Sequence, residues 1–354
     1  MNIPLHDKVA NDSRRTGTIH AMNRFALAAA ALLALVFAPS ALAQGPADSQ
    51  GPADELVQGT PAPADVRIAL KNVNGSRVQV GSKVLGVGYV RPFVPDQEVR
   101  VWVARANSEI MVKRQPIRRV SGKDQGRFKI RSKRLIEDGA YRIRAKKEAS
   151  PNQDGFQEES KKVGISYPDL DPGMRNNAVG LFNDLLDEEG YYTSNGSSYA
   201  AATERAVLAF RKVNRMGRTV NATPSIFRTL AAGKGGFNLK YPNAGKHVET
   251  DLSRQVMVLA DGGEAKHIFH ISSGTAATPT IQGHHVFTRK QYGTNSLGMV
   301  HSVYFGPTNR GYATHGYKSV PTYPASHGCL RNPIPNSLFI YNWINIGDDI
   351  WVYP

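Results

Sequence analysis

The sequence is poor in cysteine, with Cys329 as its single thiol among 354 residues. One cysteine excludes an intrachain disulfide and any zinc or iron–sulfur site built from several thiolates. The mean hydropathy of −0.36 excludes a protein with many membrane-spanning helices. Acidic residues are also scarce, 29 against 44 Lys and Arg, so the net charge is +15. Such an excess is compatible with binding to nucleic acid, to a membrane surface or to an anionic cell envelope.

Ordinary proportions of apolar (41%) and charged (21%) residues exclude a wholly disordered or fibrous chain. The length predicts two or three domains. With 33 Gly and 21 Pro the sequence is rich in turns, which favours short strands over long helices.

The segment that starts at Met22 has the pattern of a secretory signal. Asn23-Arg24 is a basic start, 25–37 is a short apolar run, and small residues precede Ala43. We interpret 1–43 as a signal peptide whose true start is Met22, with cleavage after Ala43. An uncleaved membrane anchor is the alternative, and we expect membrane contact only through this segment. Export to the periplasm or cell wall argues against nucleic acid as a partner.

A linker follows from 44 to 65. Gln44–Asp48 is repeated as 50–54, and Pro61-Ala62-Pro63-Ala64 comes next. A segment this rich in Pro, Ala and Gly cannot form an apolar core, so we expect a disordered tether.

Short alternating segments from 66 to 166 predict an Ig-like β-sandwich. The predicted strands are Val66–Leu70, Val84–Val90, Val99–Val103, Arg127–Ile130 and Ala140–Arg144. The solvent-facing positions are rich in Lys and Arg, particularly from Lys113 through Lys147. This basic surface either aids solubility or attracts anionic wall polymers.

The period becomes helical between 167 and 236. Three helices are predicted, around the apolar stripe 178–186, over Thr203–Val213, and over Pro224–Ala231 with Thr223 as N-cap. This order resembles the peptidoglycan-binding three-helix module of wall hydrolases, with Arg211 where that family usually has Gln. The module either binds glycan strands or acts as a spacer.

The segment 237–354 is β-rich again. Predicted strands are 247–251, 255–259, 266–271 and 285–289, with a hairpin turn at 261–263 and a helix over Ser337–Ile344. The architecture as a whole is therefore multidomain and mainly β, with a small helical bundle between two β-rich parts.

Cys329 lies in the segment Ser326-His327-Gly328-Cys329-Leu330-Arg331. An unpaired cysteine in an exported protein is either buried and inert or a nucleophile, and these polar neighbours favour the nucleophile. A free thiol has a pKa of roughly 8.5, so attack at neutral pH needs a base. Two histidines are candidates: His327, two residues before the thiol, and His315 in Ala313-Thr314-His315-Gly316.

His-Gly followed by a loop and Ser-His-Gly-Cys-x-Arg resembles the L,D-transpeptidase catalytic domain of bacterial cell-wall synthesis. The resemblance covers about 238–354 and includes the opening strand pair and the Thr-Pro segment from Gly274 to Gly283. Ile281-Gln282-Gly283 and Asn332-Pro333 depart from the family's pattern.

The resemblance implies a nucleophile, Cys329, a general base, His315, and the Gly316 carbonyl as the group that orients the imidazole. Further implied roles are oxyanion binding by the N–H groups of Gly328 and Cys329, loop hydrogen bonds from Ser326 and His327, a substrate carboxylate partner in Arg331, and a groove lined by Tyr304, Phe305 and Tyr317. Core packing is the alternative for the three aromatic residues.

The implied reaction is acyl transfer on peptidoglycan stem tetrapeptides, with release of D-Ala, a thioester intermediate and a 3→3 cross-link. Carbapenem-type β-lactams are implied inhibitors. The alternatives are an L,D-carboxypeptidase, an anchoring enzyme that uses a protein amine, a Cys/His endopeptidase or amidase, and a wall-binding scaffold. We expect no metal, no cofactor and a monomer.

Overall fold

The computed structural model of the chain describes residues 60–194, 196–307 and 311–354. The predicted signal peptide and residues 44–59 of the predicted linker lie outside the described residues. No helix in these three ranges combines the length and apolarity that crossing a membrane requires.

The first part of the chain is a β-sandwich, as predicted. Its strands are β1 (Asp65–Lys71), β2 (Arg77–Gln79), β3 (Leu85–Arg91), β4 (Glu98–Arg105), β5 (Ser108–Pro116), β6 (Arg118–Arg119), β7 (Gly126–Arg131), β8 (Tyr141–Lys147), β9 (Phe156–Glu159) and β10 (Gly164–Ser166). One sheet has the order β1-β3-β7-β6 and the other β5-β4-β8-β9, while β10 and β2 form a parallel pair. The five predicted strands correspond to β1, β3, β4, β7 and β8.

Five further strands were not predicted, because they are either very short or exposed on both sides. β5 is the clearest case: its residues are exposed or half-buried throughout, so no burial-driven alternation marks it. The linker prediction was wrong at its end. Ala62 exchanges backbone hydrogen bonds with the 152–154 turn, at 3.3 Å to Asn152 and 3.0 Å from Asp154, and β1 already begins at Asp65.

Three helices follow, α1 (Asn177–Glu188), α2 (Ala201–Val213) and α3 (Pro224–Ala231). The apolar stripe predicted for α1 is buried, and the Asn176 side chain caps the helix by accepting from the Val179 N–H at 3.0 Å. Thr223 occupies the N-cap position of α3. Its hydroxyl, however, bonds to the Ser225 hydroxyl rather than to a helix N–H, so the expected capping bond does not form.

The C-terminal part is an eight-stranded sheet with one helix. Its elements are β11 (His247–Asp251), β12 (Val256–Asp261), β13 (Glu264–His270), β14 (Gly283–Thr294), β15 (Val300–Phe305), β16 (Ala313–Tyr317), β17 (Leu330–Pro333), α4 (Ile334–Trp343) and β18 (Asp349–Tyr353). The sheet order is β13-β12-β11-β18-β14-β15-β16-β17. α4 starts three residues before the predicted Ser337, directly after β17, and packs on β15, β16 and β17.

The apolar core is shared between the sandwich, the helices and the edge of the large sheet. Phe210 of α2 and Ile268 of β13 belong to the same buried cluster as Val101 of β4. A second cluster lies between the sheet and α4, around Phe287 and Ile340. The domain limits 66–166, 167–236 and 237–354 stay a prediction, and they cross a continuous core.

Candidate active site

The cysteine and the candidate base lie on two adjacent parallel strands. β16 and β17 pair so that Thr314 is opposite Leu330 and His315 is opposite Arg331. Cys329 directly precedes β17, so the same register places it opposite Ala313. Side chains two residues apart on a strand share a face. Cys329 and His315 are therefore diagonal neighbours on one face of the sheet, a separation that long side chains can span.

His315 is held in one orientation by the backbone. Its side chain is buried, and Nδ1 lies 3.0 Å from the Gly316 carbonyl oxygen. A carbonyl oxygen only accepts hydrogen bonds, so Nδ1 carries the proton and Nε2 keeps its lone pair. The carbonyl of Gly316 thus selects the tautomer in which Nε2 can accept a proton.

Burial shifts the pKa values of His315 and Cys329 in opposite directions. Desolvation lowers the pKa of His315 below its ordinary value, partly offset by the hydrogen bond to Gly316, and the charge of Arg331 lowers it further. Desolvation raises the pKa of Cys329, against which the Ala313 backbone and the Arg331 charge act. Both groups are neutral at neutral pH, a thiol beside an imidazole rather than an ion pair.

The sulfur is neither sealed in hydrocarbon nor bonded to the imidazole. Cys329 is half-buried, and its Sγ–H faces the Gly311 carbonyl oxygen at 3.8 Å. Thiol and base in ligand-free enzymes are often further apart than in the reacting complex.

Ser326 fixes the loop that carries the thiol. Its hydroxyl donates to the Cys329 carbonyl at 2.5 Å and accepts the Gly328 N–H at 3.1 Å. The Gly328 N–H therefore points into the loop, contrary to the expected oxyanion role. Gly328 has φ +115°, and an added Cβ would lie 2.9 Å from the Tyr312 ring, so glycine is required here.

The strand end after β13 supports this loop on both sides of the cysteine. Ser273 accepts the N–H groups of Ala325 and Ser326 at 2.9 Å each, and Ser272 exchanges two backbone bonds of 2.9 Å with Arg331. At Gly274 an added Cβ would lie 2.2 Å from the Thr278 carbonyl oxygen and 2.9 Å from the Gly328 Cα. The loop is thus packed directly against backbone, with no room for a side chain.

The remaining predicted residues lie at different distances from the thiol. Arg331 is half-buried on the same sheet face as His315, and its guanidinium stacks on Tyr317 at 4.3 Å. His327 is exposed, with no hydrogen bond recorded for its side chain among the described residues, so its expected loop bond is not observed. Phe305 is buried in the core, and it also lines the cavity beside Tyr304, so packing and groove lining are both compatible with its position.

A cavity of about 300 Å³ reaches Gly311, whose carbonyl oxygen faces the Cys329 sulfur. Tyr304 lies opposite Ala313 on β15 and lines this cavity together with Arg289 and Gly311, the residue whose carbonyl faces the sulfur. The Tyr304 hydroxyl donates to Gln291 at 2.9 Å, and the Arg289 guanidinium covers its ring at 3.5 Å. Tyr304 therefore lines this cavity, with the Arg289 guanidinium over its ring.

Sequence reasoning missed the supporting residues Ser272, Ser273 and Gly311. Ser272-Ser273-Gly274 is a run of small residues directly after a strand and before the Thr-Pro segment, a signal for close backbone packing. Gly311 contributes through its carbonyl oxygen, so its residue type carries no signal. In the described parts of the chain, no cluster of three or more His, Cys, Asp or Glu side chains is placed to hold a metal ion.

A cysteine beside a buried, oriented imidazole is the arrangement found in thiol enzymes. Residues 245–352 match the family model described as YkuD, the L,D-transpeptidase catalytic domain. The C-terminal third of the chain therefore matches the L,D-transpeptidase catalytic domain family, as the sequence motif predicted. This match supports a transpeptidase-type function for that part.

Similar solved structures include L,D-transpeptidases from three bacteria. The Xylanimonas cellulosilytica enzyme (residues 123–326) is 28% identical, with a TM-score of 0.48, over 52% of this chain and 97% of that chain. The Stackebrandtia nassauensis enzyme is 18% identical, with a TM-score of 0.32, over 52% and 95%. The Mycobacterium smegmatis enzyme is 12% identical, with a TM-score of 0.27, over 82% and 100%. No curated protein gives a significant match.

Proposed function

We propose that this protein is a peptidoglycan L,D-transpeptidase that forms 3→3 cross-links through a Cys329 acyl-enzyme. The supporting observation is the placement of Cys329 and His315 on one sheet face, with Nδ1 of His315 held by the Gly316 carbonyl. This leaves Nε2 as the only ring nitrogen able to take the thiol proton. The substrate places the protein outside the cytoplasm, in the periplasm or cell wall.

In the first step, His315 Nε2 takes the thiol proton as Sγ attacks the carbonyl between the third residue of the stem peptide and D-Ala. The proton is then delivered to the departing D-Ala amine, and a thioester remains on Cys329. In the second step, a side-chain amine of another stem attacks the thioester and gives its proton to Nε2. The amide cross-link leaves, and the thiol is restored.

One backbone N–H group and one arginine side chain are assigned to the substrate. We assign the developing oxyanion to the Cys329 N–H, since the Gly328 N–H is occupied by Ser326. Arg331, partly exposed on the reacting face, is assigned to a substrate carboxylate, which its planar guanidinium can bind bidentately. Tyr304 and Arg289 form the wall of the groove beside the thiol.

The test is incubation with a disaccharide-tetrapeptide, followed by mass analysis of protein and products. We expect a mass increase on the protein that Cys329→Ala abolishes, loss of D-Ala, and a cross-linked dimer. Hydrolysed tripeptide without dimer would assign the protein as an L,D-carboxypeptidase, and glycan or stem cleavage would assign an endopeptidase or amidase. Absence of any adduct from a folded protein would overturn the proposal.

A carbapenem provides an independent probe of the same nucleophile. Since the chain has one cysteine, acylation by the β-lactam carbonyl should add one inhibitor mass to Cys329 and none to the Cys329→Ala variant. A second site of modification would contradict the assignment of the thiol as the nucleophile.

A further inference from the structure

The two outer faces of the β-sandwich differ in how many of their Lys and Arg side chains are in ion pairs. The sheet β5-β4-β8-β9 has most of its outward cations in ion pairs: Arg142 and Arg144 with Glu159, and Lys146 with Glu148 at 2.8 Å. Arg100 on the same sheet pairs with Glu109 at 2.6 Å. Arg142 and Arg144 share one carboxylate, and Arg114 on β5 is in no ion pair among the described residues, so the charge of this face is compensated in part.

The sheet β1-β3-β7-β6 presents an uncompensated basic face. Its alternation turns Val66, Ile68, Phe128 and Ile130 inward, as their packing in the core shows. We define the basic face as its seven outward, exposed cations: Arg67, Lys71, Arg91, Arg118, Arg127, Lys129 and Arg131. Asp65 is the one acidic residue on the strands of this face. Among the described residues, none of the seven cations is in an ion pair.

The charges on this face are closely and regularly spaced. Arg127, Lys129 and Arg131 alternate along β7, so neighbouring cations are about 7 Å apart along the strand. Arg118 lies directly opposite Arg127 on β6, and Arg67 is opposite Tyr89 on β3, the strand between β1 and β7. The four strands span roughly 14 Å at about 4.8 Å per pair. Like charges this close repel one another, so a multivalent anion would stabilise them.

The shape and composition favour a polymer over a membrane. A sheet of this kind twists by about 20–25° per strand, so the cations follow a curved strip instead of a plane. Membrane-surface binding combines basic residues with exposed apolar side chains that enter the interface. Every large exposed apolar residue recorded in the described part of the chain lies elsewhere, such as Ile110 and Val112 on β5.

We propose that the basic face binds the free carboxylates of peptidoglycan and so holds the protein on the polymer non-covalently. The choice of polymer rests on the proposed function, because a stem tetrapeptide ends in a carboxylate and stems recur along the glycan. Each exposed contact is weak, so binding depends on several contacts at once and decreases with salt.

The test is co-sedimentation with purified sacculi in a Cys329→Ala background, so that no thioester retains the protein. The variant Arg127→Gln/Lys129→Gln/Arg131→Gln removes three unpaired cations from β7. The control Arg142→Gln/Arg144→Gln/Lys146→Gln removes three paired cations at the same spacing from β8. We expect affinity at low salt to fall about tenfold in the first variant and less than twofold in the control.

The same assay has outcomes that overturn the proposal. Equal losses in the two variants would show that only net charge matters. Undiminished binding to sacculi whose carboxylates have been amidated would exclude those carboxylates as the ligand. Binding to anionic vesicles without binding to sacculi would assign a membrane instead. When the β7 substitutions are made in the protein that keeps Cys329, a soluble tetrapeptide should still acylate it. If the unsubstituted protein is not acylated either, the proposed function has failed, and the proposal about the basic face is unaffected.

A separate observation links the helices to the active site. Lys212 of α2 is 2% exposed, and its ammonium donates to the carbonyl oxygens of Gln255 at 3.1 Å and Ile271 at 2.8 Å. No acidic side chain pairs with it in the described ranges, and burial lowers the pKa of Lys212 to about 7. A buried lysine bonded to two strand-end carbonyls ties the helical part to the large sheet.

The contacts continue to the cysteine loop. The Gln255 side chain donates to the Ser273 hydroxyl at 2.7 Å and accepts the Ser273 N–H at 2.9 Å. Ser273 in turn accepts the N–H of Ser326, whose hydroxyl holds the Cys329 carbonyl. Each of these links is a direct hydrogen bond between buried groups or backbone.

We infer that Lys212 is a positioning residue for the cysteine loop, acting through Gln255 and Ser273. Lys212→Met should lower the maximal acylation rate about tenfold with a soluble tetrapeptide while leaving the binding constant for that peptide unchanged. Val207→Ala, an apolar truncation on the same helix and equally buried, is the control for lost stability. Both are measured well below their unfolding midpoints.

Gln255→Leu keeps the inference testable if Lys212→Met fails to fold, since it breaks the same contacts one step closer to the thiol. Where both variants fold, the double variant should lose little more rate than either single variant. A normal maximal rate in folded Lys212→Met or folded Gln255→Leu, or additive losses in the double variant, would overturn the inference. If the unsubstituted protein is not acylated, that result contradicts the proposed function and does not bear on the role of Lys212.

Discussion

The neutral state of the Cys329–His315 pair predicts that two reactions of the same sulfur, alkylation and acylation, depend differently on pH. Burial lowers the imidazole pKa of His315 and raises the thiol pKa of Cys329 from their ordinary values. An ordinary thiol already has a higher pKa than an ordinary imidazole, and burial widens this gap, so moving the proton from sulfur to nitrogen is unfavourable at rest. The ion pair is therefore a minor species.

Alkylation of Cys329 by iodoacetamide requires a thiolate and should follow the thiol pKa. Its rate at pH 7 should be at least about 30-fold below its alkaline plateau, since pH 7 is 1.5 units or more below that pKa. In the proposed mechanism, acylation by a tetrapeptide uses His315 as base during the attack. Its rate should rise with pH through the lowered imidazole pKa of His315 and then be flat to about pH 8, because only the protonated imidazole is inactive as a base.

The assay is stopped-flow or quenched labelling with intact-mass detection, which is unambiguous because Cys329 is the only thiol. His315→Ala should lower acylation at pH 7 by about 10²–10⁴-fold and leave the alkaline alkylation plateau nearly unchanged. An alkylation midpoint below pH 7 in the parent would refute the reasoning, since it would mean that a thiolate–imidazolium pair already exists at rest.

Three further substitutions test the scaffold. Ser326→Ala removes the acceptor for the Gly328 N–H and should lower both acylation and the free energy of unfolding, by about 1–3 kcal/mol in the latter, measured by chemical denaturation. Gly274→Ala places a methyl group against backbone and should cost about 1–3 kcal/mol while slowing acylation, measured in the same two assays. Glu249→Gln changes a fully buried carboxylate that accepts two backbone N–H groups and the Tyr353 hydroxyl. It should cost about 2–4 kcal/mol in denaturation yet leave acylation of the folded protein intact.

The contrast between these variants is itself a control. Glu249 lies on β11, five strands from β17, which is roughly 24 Å across the sheet. Slow acylation in folded Glu249→Gln would show that general softening of the sheet, and not the cysteine loop, sets the rate. Normal acylation in Gly274→Ala would show that the tight contact between Gly274 and Gly328 is dispensable.

Much of the fold was predictable because burial leaves a period in the sequence. The stripe 178–186 and the segment Pro224–Ala231 gave helices with bounds close to those observed, and five sandwich strands were recognised by alternation. The strands that were missed, such as β5, have little buried surface and hence no such period. Element ends depend on local contacts, which explains why the start of α4 was placed three residues late.

The sequence indicated which residues are candidates for the site, but it did not indicate which hydrogen bonds they make. The single thiol, its polar neighbours and the family resemblance pointed to Cys329 and His315 before any coordinates. The side chain of Ser326 was placed correctly in the loop. The Gly328 N–H was assigned to the substrate but is bonded to Ser326. Choosing between two nearby acceptors requires distances, and residue types do not supply them.

The sequence by itself determined the one candidate for a thiol nucleophile, since a chain with one cysteine offers one thiol, and it determined which faces of the elements are apolar. Tertiary structure alone decided that β16 and β17 are neighbours in a register that places Cys329 and His315 on one face. It also decided that Lys212 reaches strand-end carbonyls 43 and 59 residues away, and that one sandwich face keeps its cations unpaired. Periodicity records whether a residue is buried but not which distant residue covers it, and that choice is made only when the whole core packs.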